Sequence, residues 1–327
     1  MTTLHVPSSL PARLIRTVGT MFTPFEDAER LCVLNYHRIL AQPDPLLDDE
    51  PTVDTFRWQM RLVARYFNVL SLPDAIARLA AGRLPPRAIC ITFDDGYRSI
   101  HDLAMPVLKE FGLPATVFVS TAYLDSGAMW NEIIADAVRR LPDGAVDLCG
   151  AGLGMRELRT SEDRRNLLNE LTAHAKYLPP AERQALTERL MTMVGGGRAD
   201  NLMLTPEMIR TMAAQGFEIG AHTVSHPILT SLSDEAARHE IEQCKRDLEA
   251  ITGTPVRYFA YPNGKVGKDF DERHKEMVRS AGFAAAFSTE VGPAVRGRDL
   301  FQLPRSRPWD AHPFLFGLRL LRWLAQE

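Results

Sequence analysis

Apolar, strand-like runs recur along this chain with room for a helix between them, and the main ones stop at a residue able to bind an ion or move a proton. The runs 31–36, 88–93, 217–221 and 256–260 lead into His37, Asp94-Asp95, His222 and Tyr261-Pro262-Asn263. Further short strands are expected at 67–72, 115–119, near 284–288 and near 300–304. Helical periodicity fills the gaps: Thr55 to about Tyr66 with Asp54 as N-cap, 73–81, 102–111, 233–251 and 270–281. Strand and helix in alternation predict a parallel sheet with crossover helices, either a barrel or a doubly wound sheet. In both, loops after the strand C-termini converge on one mouth, where active sites are built.

One stretch breaks the alternation. Residues 123–204 are helix-rich and charged, with few strand signals, and run into the flexible Gly195-Gly196-Gly197; they read as an insertion on one loop. The layout expected is an extension over 1–30, a catalytic unit over 31–310 and an amphipathic helix over 311–327. In that last helix Phe314, Leu315, Leu318, Leu321 and Trp323 supply an apolar face with Arg319 and Arg322 between them. It is too short to cross a bilayer and is expected to dock on the body, with peripheral membrane contact or dimerisation as further roles. A net charge of -3 carries no footprint for nucleic acid. The four cysteines, Cys32, Cys90, Cys149 and Cys244, lie far apart and read as reduced structural thiols. The N-terminus lacks the basic and apolar regions of a signal peptide, so the expectation is a cytoplasmic protein.

The chemistry gathers at the strand ends. Adjacent strand residues point to opposite faces, so Asp94 and Asp95 can share one task only if the turn at Gly96 swings the chain; one carboxylate could then reach a metal and the other face the water to be activated. His222 and His226, four residues apart, can chelate one ion from a tight loop. One aspartate and two histidines make a three-ligand set with open positions, the arrangement of a catalytic metal. His37 follows the first strand. His101, His174, His239 and His274 fall on helices and are expected in solvent.

Together these residues resemble the polysaccharide deacetylase family, also called carbohydrate esterase family 4 or the NodB-homology domain. Thr92-Phe93-Asp94-Asp95-Gly96 looks like its first motif, His222-Thr223-Val224-Ser225-His226 its second and Tyr261-Pro262-Asn263-Gly264 its third, and the likeness spans roughly 30–310. The resemblance implies a distorted (β/α) barrel carrying the helical insertion, and a divalent metal, most often zinc. It implies Asp95, His222 and His226 as ligands and Asp94 as catalytic base. Tyr36-His37-Arg38 resembles the branch of poly-N-acetylglucosamine deacetylases, in which His37 would be the general acid. Two departures stand out. Ala260 occupies the place of an arginine that pairs with the catalytic aspartate, a charge that Arg305 could supply from another strand. The family's Asp-Trp motif has no clear match, and Trp130 is a candidate substitute.

The function implied is removal of N-acetyl groups from an acetylated glycan, with Tyr97, Trp130, Tyr261, Pro262 and Asn263 around the substrate. Base and acid are both needed, because an amine must be protonated as its C–N bond breaks. The alternatives are an O-acetyl esterase acting on a glycan, a catalytically silent glycan-binding module, and an amidase for a small molecule.

Overall fold

The computed structural model describes residues 29–125, 127–197, 201–308 and 310–326, so the expected N-terminal extension lies outside the described residues except for its last two. Ten strands are described. β1 (Arg30–Tyr36), β2 (Asn68–Val69), β3 (Ala88–Phe93), β4 (Thr116–Val119), β7 (Glu218–Ala221), β8 (Tyr258–Ala260), β9 (Ala285–Phe287) and β10 (Ala294–Val295) form one curled sheet. Its order is β10-β1-β3-β4-β7-β8-β9, with β2 beside β3, and every pairing is parallel except β1 with β10. The helices are α1 (Val53–Tyr66), α2 (Leu72–Ala80), α3 (Met105–Glu110), α4 (Trp130–Arg140), α5 (Ser161–Lys176), α6 (Pro180–Met193), α7 (Pro206–Ala214), α8 (Asp234–Thr252), α9 (Glu272–Ser280) and α10 (Pro313–Leu324). This is the expected distorted (β/α) barrel.

The segment expected as a strand near 300–304 is instead a short stitch. Leu303 bridges Phe287 of β9 and Ser306 bridges Leu34 of β1. Ser306 N–H donates to Val33 O at 2.9 Å and Ser288 N–H to Leu303 O at 2.8 Å, so the stitch joins the two ends of the curl. Arg305 sits between its two anchors.

Alternation decides what faces inward. Leu31, Val33, Ala88, Cys90, Phe118, Tyr258, Ala260, Ala285 and Phe287 share one interior cluster, joined by Leu72, Ala75, Ile76 and Leu79 of α2. Their neighbours Cys32, Leu34, Tyr36, Ile89, Ile91, Phe93 and Phe259 face the helix layer. Both faces are thus buried, which explains why the strands read as unbroken apolar runs. Register then fixes the level of the strand ends. Tyr36 pairs with Phe93, Val119 with Ala221, and Ala221 with Phe259, so His37, Asp94 and His222 emerge at one rim.

Several local expectations are corrected. Thr52, not Asp54, caps α1, its hydroxyl accepting from Thr55 N–H. The run 67–72 pairs only at 68–69, because Ser71 and Leu72 already open α2. The helix expected at 102–111 starts as a π-helical turn over Ile100–Ala104. The stretch 123–204 contains an antiparallel hairpin, β5 (Gly144–Leu148) with β6 (Gly154–Leu158); both strands expose alternate residues, but these include Ala145 and Met155, so no apolar–polar alternation marks them in the sequence. Around the hairpin α4, α5 and α6 hold a hydrophobic core of their own, including Ile134, Val138, Leu148, Leu158, Leu171 and Leu190. Cys149 is exposed, whereas the other three thiols are buried. His274 is fully buried rather than solvated, because its Nδ1 accepts from Asp271 N–H in the cap of α9.

The C-terminal helix docks as expected, although on a face partly different from the one foreseen. Phe316, Leu320, Leu321, Trp323 and Leu324 are buried, and the Phe316 ring meets Trp58 of α1 edge-on at 5.4 Å. Phe314, Leu315 and Leu318 remain exposed on the outer side. Among the described residues no helix is long and apolar enough to cross a membrane.

Gly220 tests the interior packing. A Cβ there would stand 2.4 Å from Cδ1 of the Phe118 ring and 3.1 Å from Tyr258 O. Phe118 is buried against Phe287 and cannot swing away. Gly220→Ala is expected to lower stability by about 1–3 kcal/mol, the cost of overpacking, measured as a shift in the urea unfolding midpoint at constant slope.

Candidate active site and metal centre

Asp94 continues the inward parity of β3, behind Ala88, Cys90 and Thr92. Arg305 meets it there from the stitch: Nη1 donates to Asp94 Oδ1 at 2.6 Å and Nη2 to Oδ2 at 2.7 Å. Two more guanidinium protons are also used, with Nε donating to Ser288 O at 3.2 Å and Nη1 to Thr92 Oγ1 at 3.3 Å. The pair is almost wholly out of water. Burial works against the Asp94 charge, but Arg305 outweighs it and holds the carboxyl below the usual range.

By strand parity Asp95 should point the other way. Its backbone prevents this: φ is +74° at Asp95 and +84° at Gly96. The turn sought at Gly96 therefore begins one residue earlier, and the left-handed conformation, tolerated by aspartate at a cost, returns the second carboxylate to the same rim. Asp95 Oδ1 lies 3.4 Å from Nε2 of both His222 and His226.

His222 leaves β7 with its Nδ1 at 2.7 Å from Ala260 O on β8. A carbonyl can only accept, so Nδ1 carries a proton, and Nε2 is the nitrogen turned toward Asp95. His226 is brought back by a loop in which Thr223 and His226 have φ of +65° and +52°. Thr223 Oγ1 accepts from His226 N–H at 3.1 Å. The two rings stand 4.8 Å apart.

This donor set fits a divalent cation. One atom from each of Asp95, His222 and His226 lies within 4.8 Å of the others. Among the described residues the buried Asp95 Oδ1 has no hydrogen-bond partner, a costly arrangement in a protein interior unless something positive meets it. Burial pushes His226 down to about 3, so its imidazole is neutral and free to ligate. Burial also acts to lower His222, but the charges of Asp94 and Asp95 outweigh it and raise the group. The rim thus carries a negative potential that a cation can take up.

A cavity of about 460 Å³ opens over this rim, lined by His37, Asp94, Asp95, His222, His226 and Arg305. His37 Nδ1 is buried without a partner among the described residues. Tyr97 and Trp130 of the expected substrate set line the cavity, and so does Asn263. Tyr261 and Pro262 do not. Tyr261 follows the outward parity of Phe259; its ring stacks on Phe270 at 3.7 Å and its hydroxyl donates to Phe301 O, so it belongs to the core. Arg38 and Glu132 are among the lining residues to which the sequence reading gave no role. Arg38 ion-pairs with the buried Glu132 of α4 and lies 4.2 Å above the Tyr97 ring. Tyr97 Oη donates to Glu132 Oε1 at 2.9 Å. These contacts fasten the insertion to the turn that carries His37. Arg38 adjoins a flagged residue, but nothing local identifies Glu132 as its partner 94 positions away.

Comparison with known proteins agrees with this geometry. A family profile described as polysaccharide deacetylase matches residues 81–286. The chain is 20% identical to YxkH of Bacillus subtilis (strain 168) over 283 residues, 86% of this chain and 72% of that protein. It is 33% identical to the poly-beta-1,6-N-acetyl-D-glucosamine N-deacetylase of Staphylococcus epidermidis over 115 residues, 30% of this chain and 38% of that enzyme. Among solved structures, the Streptococcus pyogenes deacetylase PplD in complex with acetate superposes with a TM-score of 0.61 at 18% identity, covering 90% of this chain and 98% of that one. At that identity the likeness speaks for the fold.

The Arg305–Asp94 pair should behave as a unit. Arg305→Met strands a buried carboxylate and is expected to cost about 3–5 kcal/mol. In an Asp94→Asn background the same change should cost markedly less, since no charge is left unpaired. Denaturant unfolding of the four proteins measures the coupling; equal costs in both backgrounds would show that the ion pair is not what Arg305 supplies.

Proposed function

We propose a metal-dependent hydrolase that removes N-acetyl groups from a glycan of the N-acetylglucosamine type, and the premise is that this chain belongs to the polysaccharide deacetylase family. The observation that carries the reading is the meeting, over one cavity, of a three-donor cation site, an arginine-held carboxylate and an unpartnered histidine. The name of the S. epidermidis relative supports an N-acetylated glycan as substrate.

A divalent ion held by Asp95, His222 and His226, with zinc favoured by the nitrogen-rich donor set, would polarise the acetyl carbonyl and make water nucleophilic near neutral pH. The residues of the chain supply the rest. Asp94 accepts the water proton. Arg305 occupies one lone pair on each of its oxygens and leaves others free, and also fixes the direction of the carboxylate. The oxyanion needs a backbone donor. Tyr261 N–H is committed to Phe287 O at 3.0 Å and Pro262 has none, which leaves Asn263 among the three loop residues. His37 protonates the departing amine. Tyr97 and Trp130, which line the cavity, contact the sugar. For the outer face of α10, peripheral membrane contact or dimerisation stays a proposal, open to liposome co-sedimentation of the full chain.

Acetate release from an N-acetylglucosamine oligomer is the test. Asp94→Asn is expected to lose about 10²–10⁴-fold in turnover, the usual worth of a positioned base. His37→Ala should slow the amide by about two powers of ten and leave an activated acetyl ester within roughly tenfold, because an alkoxide departs with little help. Equal losses on both substrates would remove His37 from the acid role. Wild-type acetate release by Asp94→Asn would overturn the mechanism.

A further inference from the structure

In the loop that returns His226 to the cation site, one carboxylate takes up two consecutive backbone N–H groups. Glu240 lies half-buried in α8, fourteen positions beyond His226. Its Oε2 accepts from Val224 N–H and from Ser225 N–H, each at 2.8 Å, and its Oε1 accepts from Ser225 Oγ at 2.6 Å. Consecutive backbone N–H groups turned toward one anion form a nest, and bonds to a carboxylate are stronger than neutral ones.

The loop needs such a clamp. Thr223 is β-branched and has φ of +65°, a conformation that persists only where the surroundings over-determine it. From the opposite side Ala122 N–H donates to Val224 O at 2.9 Å and Tyr123 Oη to Ser225 O at 2.9 Å. The loop carbonyls are thus tied to the chain after β4, and its N–H groups to Glu240. Remove the carboxylate and two adjacent N–H groups lose their acceptor while the strained residues at both ends remain. The first thing free to relax is the approach of the His226 ring to Asp95.

We propose that Glu240 is the positioning residue of the cation site: it touches neither the ion nor the substrate, but sets the spacing of the two histidines and with it the affinity for the metal. This rests on the reading of Asp95, His222 and His226 as ligands.

The experiment uses the full-length protein stripped of metal with a chelator. Zinc is titrated by calorimetry and cobalt(II) by its visible absorption, in the wild type, Glu240→Gln, Glu240→Ala and a control, Glu242→Ala. Glu242 lies on the same helix and, among the described residues, pairs only with Arg246 at the surface. The expected result is a zinc Kd raised about 10–100-fold in Glu240→Ala, the usual effect of losing a partner behind the ligands. Glu240→Gln should be intermediate, because its one carbonyl oxygen can still accept from the nest. The cobalt bands should shift in the Ala variant and stay fixed in Glu242→Ala. If Glu240→Ala does not fold, the Gln variant decides, with at least a fivefold rise expected. A Kd within twofold of wild type in the folded Glu240 variants overturns the proposal. Absence of metal binding by the wild type would instead overturn the ligand reading beneath it, and the proposal with it.

Discussion

A bidentate ion pair between Arg305 and Asp94, sealed inside the mouth of the barrel, is the contact on which the rest of this structure turns. Each charge alone would cost several kcal/mol to bury. Together, with Ser288 O and Thr92 Oγ1 taking up two more guanidinium protons, they become tolerable. The pair is also a fastener. Arg305 belongs to the stitch between β9 and β1, and Asp94 to β3, so the contact spans the point where the sheet meets itself. A hydrophobic contact there could serve stability, but it could not hold a carboxylate ionised and aimed at the cavity.

From that anchor the charges follow in order. Asp94 is neutralised by Arg305, which leaves Asp95 as the unbalanced carboxylate of the rim. Two imidazoles approach it to 3.4 Å, one of them neutral because of its burial. The backbone bears part of the cost of this convergence in the left-handed residues Asp95, Thr223 and His226. The insertion joins the same construction through Glu132, whose contacts with Arg38 and Tyr97 brace the turn that carries His37.

Much of this was legible in the sequence, for a physical reason. Strands buried on both faces announce themselves as apolar runs, and the residues just past their ends must share a rim once register is fixed. His37, Asp94, His222 and the compensating Arg305 were therefore within reach. Parity beyond a strand end was not. Asp95 faces inward only because its φ is positive, and Tyr261 faces outward because β8 keeps its alternation one residue longer. The hairpin β5–β6 was missed because a half-exposed ribbon mimics charged loop sequence. Glu132 was unreadable because its partner Arg38 is distant in sequence, and Glu240 because a glutamate on a helix looks like a solvated one.

The central claim is that Asp95, His222 and His226 form one cation site, and metal content measures it most directly. Purified protein equilibrated with zinc and freed of loose ions should carry about one ion per chain. Asp95→Ala and His226→Ala should each fall to a small fraction of that while remaining folded. Retention of one ion per chain in both variants would contradict the assignment and the mechanism built on it.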